Sequence, residues 1–201
     1  MHTDNINIAD QRIYINLYKF KKGEIRVKID LHCHTKKTKT GDGKQRNVTP
    51  ELFKEKIALA DIRIVAITNH NVFDVDQYML LQGAVTGLCQ VWPGVEIDVQ
   101  GESKFHLIVV TKPEDANRFS SCVNDLFGGE NIDVCQQTLE KVCETFKSLD
   151  AIYIPHFHDK KPAISEGDRN KLIELVGDSA RVFIEPRNHR TLSDRKSTRL
   201  N

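Results

Sequence analysis

Apolar residues fall in short runs along the chain, and the change of period from run to run predicts strands and helices in alternation. Ile13 to Phe20 sets Ile13, Ile15 and Leu17 against Tyr14, Asn16 and Tyr18, the two-residue period of a half-buried strand. Lys21-Lys22-Gly23-Glu24 gives a turn, and Ile25 to Ile29 opens a second strand. Thr49-Pro50-Glu51-Leu52 orders an N-cap threonine, a proline at the first helical position and an acid in the first turn, predicting a helix to about Ala60. Ile62 to Ile67 is apolar throughout, as a strand buried on both faces is. A helix over Asp74 to Leu88 and a strand over Val91 to Val99 follow. Gly101 then turns the chain into a return strand, Phe105 to Val110, setting Glu96 and His106 roughly opposite each other. Helices over Pro113 to Phe127 and Val134 to Leu149, a strand over Ala151 to Ile154, a helix over Asp168 to Val176 and a strand over Arg181 to Ile184 complete the pattern. Residues 1–190 read as one domain, and the polar tail 191–201 as disordered or non-native.

Strands alternating with helices predict parallel βαβ units. Neither a Gly-x-Gly-x-x-Gly after the first strand nor a Walker loop is present, which weakens a nucleotide-binding Rossmann reading. At 201 residues, with 39% hydrophobic and 28% charged, the chain has the balance of a folded domain with a substantial core. A net charge of +1 gives no global field toward nucleic acid or anionic lipid. No apolar run approaches the roughly 20 residues of a membrane span, and the polar stretch Met1 to Gln11 lacks a signal-peptide core. Cys33, Cys89, Cys122, Cys135 and Cys143 form no Cys-x-x-Cys pair, which predicts a reducing, cytoplasmic setting and no disulfide framework or zinc ribbon.

The candidate chemistry begins at Ile29-Asp30-Leu31-His32-Cys33-His34-Thr35. Regular alternation puts Asp30, His32 and His34 on one face and Cys33 on the other, and two imidazoles on rigid backbone can share a divalent cation. An isolated His-x-His is more often an idle surface pair, so position has to decide. His70 ends the Ile62 run, Glu96 stands toward the end of the Val91 strand, and His156 follows the Ala151 strand in Pro155-His156-Phe157-His158-Asp159-Lys160. Barrels of alternating strands and helices place active sites at that strand end. Taken singly, His70 reads as a helix cap, Glu96 as a turn carboxylate, His106 as a core histidine and His156 as a surface residue. Taken together they read as a metal site.

Asp30 to Thr35, the Gly41-Asp42-Gly43 turn, Ile67-Thr68-Asn69-His70-Asn71, Gly94-Val95-Glu96-Ile97 and Ile154-Pro155-His156, in this order and spacing, resemble the PHP (polymerase and histidinol phosphatase) domain from about Lys28 to Asn188. The resemblance implies an α/β fold, a distorted (β/α)7 TIM-like barrel. It implies two or three divalent ions, manganese, zinc or iron, hydrolysing a phosphomonoester or phosphodiester, with nucleotides and nucleic acid among the substrates. By motif position it implies His32, His34, Asp42, His70, Glu96 and His156 as metal ligands, and His106 also, because the family often has a histidine soon after the glutamate. Two positions depart. Asn69 stands where an aspartate is usual, which predicts less charge neutralisation at the metals. No Asp-x-His follows Glu185, so the barrel is expected to lack its last strand, as a fragment or as a degenerate domain. Two open strand edges then predict aggregation or oligomerisation of the isolated chain.

Water on such ions ionises near neutral pH, and the same ions neutralise phosphate during in-line attack. Asp42, between two glycines, is the candidate to bridge ions or steer a proton. His158, Lys160 and Arg187, with Lys36, Lys37 and Lys39, are candidates to hold phosphate oxygens, Arg187 in bidentate fashion. For Lys36 to Lys39 a merely solvated loop is an equal reading. The expected partner is a phosphorylated substrate, with no membrane. Resembling domains also open long ATPase chains, which adds an ATPase domain as an expected partner in a longer chain. Two alternatives differ in class. One is a non-catalytic docking or regulatory module of a larger polymerase- or ATPase-type protein. The other is an amidohydrolase-like metalloenzyme, which the His-x-His start fits but no carbamylated-lysine strand or late aspartate supports.

Overall fold

The computed structural model describes residues 27–42 and 47–186. The expected strand Ile13 to Phe20, Gly43, Arg187 and the tail 191–201 lie outside the described residues. Strands β1 (Lys28–Cys33), β2 (Ile62–Ile67), β3 (Gln90–Gln100), β4 (Lys104–Val110), β5 (Ile152–Phe157) and β6 (Glu185–Pro186) form one sheet in sequence order. β1, β2 and β3 pair in parallel, β4 runs antiparallel to both neighbours, and β6 pairs in parallel with β5. Only residues 101–103 separate β3 from β4, too few for the crossover that parallel pairing needs, so β4 must run backwards. The fold is therefore mixed α/β, consistent with part of a TIM-like barrel, and a strict (β/α)7 repeat is not what the described residues show.

Helices α1 (Pro50–Ala60), α2 (Val75–Ala84), α3 (Ala116–Phe127), α4 (Leu139–Phe146) and α5 (Glu166–Val176) pack with the sheet around the main core. Thr49, Asp74, Thr138 and Ser165 cap α1, α2, α4 and α5 by accepting backbone N–H groups, which fixes where each begins. The cap explains why α4 starts five residues after the expected Val134. Gln137, just before Thr138, bridges to β3 instead, donating to the Asp98 carbonyl and accepting from the Gln100 N–H. α2 ends at Ala84 rather than Leu88, and Pro113–Asp115 is a short 3-10 turn ahead of α3. The expected last strand is displaced. Ser179–Arg181 is a 3-10 turn, Val182 makes one bridge to Tyr153, and regular pairing begins only at Glu185.

A second, smaller apolar cluster shows that the sheet curls. It joins Leu31 of β1, Ala66 of β2, Ile108 and Val110 of β4 and Ile154 of β5. In a flat sheet, strands four places apart would stand roughly 19 Å from each other, beyond side-chain contact. Leu31 and Ile154 share one cluster, and the rings of His32 on β1 and His156 on β5 stand 5.4 Å apart between centroids, because the sheet curls.

Gly94 sits where β3 passes between β2 and β4. A Cβ there would stand 2.8 Å from Thr68 Cγ2, 3.1 Å from the Ile67 carbonyl oxygen and 3.2 Å from Val110 Cγ2. Gly94→Ala is therefore expected to destabilise the fold by about 1–3 kcal/mol through overpacking. A lower urea midpoint at unchanged slope would be the observation, and an unchanged midpoint would contradict it.

Candidate metal centre

The rim of the curled sheet gathers its polar side chains from six strands and their following loops. The first needs a bulge. Asp30 pairs with Val65 and Cys33 with Ile67, so three steps on β1 match two on β2. Val65 and Ile67 lie in the helix-side core, which puts Asp30 and Cys33 on that side. The extra residue lets Leu31 and His32 both turn inward, as bulges do beside active sites. This corrects the expected face of Asp30: it does not share the side of His32, and its Oδ1 instead accepts the His32 backbone N–H at 3.1 Å. His34 follows β1, His70 follows β2, and Glu96 and Asp98 lie inward on β3. His156 is on β5 and Glu185 on β6. Since β4 runs backwards, its inward histidine, His106, stands near its beginning.

Glu96 is the hub. Its Oε2 lies 3.0 Å from His32 Nε2, 2.9 Å from His34 Nε2 and 3.4 Å from His70 Nε2. Its Oε1 lies 2.6 Å from His106 Nδ1 and 3.2 Å from His156 Nε2. The carboxylate is 1% exposed, so five imidazoles are its surroundings in place of water. His106 does not face Glu96 directly across the hairpin, as the sequence suggested. It pairs with Asp98, and Ile108 pairs with Glu96. The offset places His106 Nε2 3.1 Å from Asp98 Oδ1 while Nδ1 still reaches Glu96. Asp42 accepts the Thr38 and Lys39 backbone N–H groups with Oδ2 at 2.9 and 3.0 Å, and its Oδ1 stands 3.5 Å from His70 Nε2.

Sequence reasoning did not place Asp98 or Glu185 in this cluster. Glu185 lies 2.9 Å from His32 Nδ1 and 3.3 Å from His156 Nε2, and it pairs with Lys160. The signals existed. Asp98 is two residues after Glu96, hence on the same strand face, and Glu185 follows an expected strand as His70 and His156 do.

Burial and charge divide the histidines into two kinds. Burial opposes protonation of His32, but the carboxylates of Glu96 and Glu185 overcome it and raise its pKa to about 9. For His106 burial is likewise outweighed, here by the carboxylates of Asp98 and Glu96 beside it, and its pKa rises to about 9. Burial prevails at His34, lowering its pKa to about 3, and it also lowers His70 and His156. Burial would raise Glu96, yet the His32 charge and the nearby rings of His106, His32 and His34 hold it well below the carboxylate range. Glu185 is held low against burial by His32 and His156, and Asp98 falls to about 2 against burial through His106 and Lys39. Burial lifts Asp30 to about 7, with its bond from the His32 backbone N–H only partly offsetting that.

These donors suit a divalent cation better than they suit one another. Among the described residues, His34 Nδ1, His70 Nδ1, His106 Nδ1 and both ring nitrogens of His156 are buried without an aligned hydrogen bond, although several lie within contact distance of a carboxylate. Imidazole nitrogens and carboxylate oxygens that converge with unspent lone pairs are the donor set of zinc, iron and manganese. Four overlapping triads each bring their ligand atoms within 4.8 Å of one another: His32, His34 and Glu96; Glu96, His106 and His156; His32, His156 and Glu185; His70, Asp98 and His106. The residues fit a metal centre.

The other expected site residues divide. Lys160 Nζ stands 2.9 Å from His32 Nδ1 and pairs with Glu185, while Lys39 pairs with Asp98. Lys36 pairs with Asp74 on the rim, and Lys37 is exposed. His158 is exposed, in the left-handed region at φ 57°, with its ring edge-on to Phe157. Arg187 lies outside the described residues. Among them no helix is long and apolar enough to cross a membrane.

No family model matches the chain, and no curated protein matches it. Several solved structures resemble it, among them these two. One is an amidohydrolase from Chromobacterium violaceum, with bound sulfate and no metal, at 14% identity and a TM-score of 0.52, covering 78% of this chain and 75% of its own. The other is a presumed metal-dependent phosphoesterase from Bifidobacterium adolescentis, at 12% identity and a TM-score of 0.48, covering 73% of each chain. At such identity the likeness to the amidohydrolase shows a shared fold and nothing further.

Proposed function

We propose that the chain is a metal-dependent hydrolase acting on phosphoesters, with two or three manganese, zinc or iron ions held by His32, His34, Asp42, His70, Glu96, His106 and His156. The observation that carries this reading is the convergence of five imidazoles on the single buried carboxylate of Glu96. The sequence resemblance to PHP domains narrows the hydrolase to phosphomonoesters or phosphodiesters, nucleotides and nucleic acid included. Bound divalent cations supply Lewis acidity and bring the pKa of water into the neutral range. The chain's own groups then have separate tasks. Glu185 bonds one ring nitrogen of His32 and Asp98 stands 3.1 Å from one of His106, and each carboxylate so orients the other nitrogen toward the centre. Asp42 Oδ1 is placed to accept a proton beside His70. Lys160 and Lys39, paired with Glu185 and Asp98, supply charge for phosphate oxygens by moving off those carboxylates.

The test is metal analysis joined to phosphomonoesterase and phosphodiesterase assays with manganese, on the wild-type chain and on the His32→Ala, His34→Ala double variant. Metal uptake with turnover in the wild type, both lost in the variant, is expected. Activity that survives the double substitution would sink the reading. Full metal occupancy without turnover on either ester class would favour the docking module.

A further inference from the structure

We propose that Asn69 is a positioning residue, whose amide, shared between the loop after His34 and the first turn of α2, sets the separation of His34 and His70. This rests on the metal-centre reading above. The polar atoms of Asn69 bond to Thr35, Lys36 and Gln77 rather than to either ring. Its side chain is turned away from the cluster, so the expectation that it alters charge neutralisation at the metals does not fit the geometry.

Asn69 is 1% exposed, and each of its polar atoms has work to do. Oδ1 accepts the backbone N–H groups of Thr35 at 2.8 Å and Lys36 at 3.0 Å. Nδ2 donates to Gln77 Oε1 at 3.3 Å and to Thr35 Oγ1 at 3.4 Å. Gln77 answers on the other side: its Nε2 donates to the Thr35 carbonyl at 3.2 Å, and its Oε1 accepts from Thr35 Oγ1 at 2.9 Å. Gln77 is itself fixed by the α2 cap, its backbone N–H bonding Asp74 Oδ1 at 3.0 Å.

The network runs in one sense only. Residue 69 has to present an acceptor to two backbone N–H groups and a donor to Gln77. A carboxylate there would set oxygen against Gln77 Oε1. Turning the Gln77 amide over would relieve that clash and create another, oxygen against the Thr35 carbonyl. Only an amide satisfies both neighbours, and a buried polar network left half satisfied is costly. His34 directly precedes Thr35, and His70 directly follows Asn69. The clasp therefore acts across one peptide unit on each side, and the two rings stack at 4.7 Å between centroids with 26° between planes.

The test uses Asn69→Asp and Gln77→Ala, with Thr138→Ala as control, since that cap of α4 affects folding and lies outside the metal machinery. Manganese affinity is read by calorimetry, ligand geometry by the visible spectrum of the cobalt-loaded protein, and folding by thermal melts in chelator. Both clasp variants are expected to lose about 10–100-fold in affinity, the range for residues that support a metal ligand, and to alter the cobalt bands. Thr138→Ala is expected to lower the melting temperature with neither change. Should Asn69→Asp not fold, Gln77→Ala alone decides. Wild-type affinity and spectrum in the clasp variants, or equal changes in Thr138→Ala, overturn the proposal. A wild-type chain that takes up no cation sinks the metal-centre reading itself, and this inference with it.

Discussion

Glu96→Gln is expected to cut metal-dependent turnover on the order of 10³-fold or more, the largest effect of any single substitution. The substitution keeps the volume and one carbonyl oxygen but removes the charge that five histidines share. Lewis-acid stabilisation is worth several kcal/mol, and about 1.4 kcal/mol is a factor of ten, so displacing or misplacing the ions costs roughly three decades. The folded state suffers too. His32, raised to about 9 in part by Glu96, keeps only Glu185 as a counter-charge. Metal content and kcat/KM with saturating manganese should fall together. Turnover within tenfold of wild type, at full metal occupancy, would show that Glu96 is not the hub.

The second large effect is a stability maximum near pH 6.5 in chelator-treated protein. When unfolded, the histidines titrate near 6.5. Below that value His34, His70 and His156 stay neutral in the fold while their unfolded counterparts bind protons, so stability rises with pH. Asp30 works against that rise, keeping its proton to about 7 when folded and losing it near 4 when unfolded, which makes the rise shallower. Above 6.5 the sign reverses. His32 and His106 hold protons to about 9 that the unfolded chain has released, so their stabilisation is full below 6.5 and lost toward 9. At about 1.4 kcal/mol per net proton and pH unit, the loss from pH 6.5 to 8 is about 3–4 kcal/mol. Urea unfolding at pH 5, 6.5 and 8 measures it, and stability that climbs steadily through this range would refute it. Saturating manganese should weaken the alkaline fall, because metal binding needs neutral imidazole.

Strand positions and the ligand-type residues at their ends were legible in the sequence because period and position carry the signal. His32, His34, His70, Glu96, His106 and His156 do meet. What stayed hidden depended on pairing, which one strand alone does not reveal. The extra residue in β1 is a mismatch of register with β2, so alternation put Asp30 on the wrong face. The offset of His106 to Asp98 follows from the three-residue tip between β3 and β4, and a shift of two preserves the face. Glu185 was passed over because its strand is only two residues long and the expected strand stopped before it. The start of α4 was misplaced because helical spacing continued through residues that bridge to β3 instead.

The bulge in β1 has a consequence for what lines the inside of the curl. A regular strand offers every second residue to one side, whereas here two consecutive residues, Leu31 and His32, turn inward. One becomes floor and the other wall. Leu31 joins Ala66, Ile108, Val110 and Ile154 in a layer immediately under the histidines, each of these side chains 2% exposed or less. The interior of the curl is therefore apolar beside the inward histidine, and the cluster's ionisable side chains are gathered toward the strand ends and the loops that follow them.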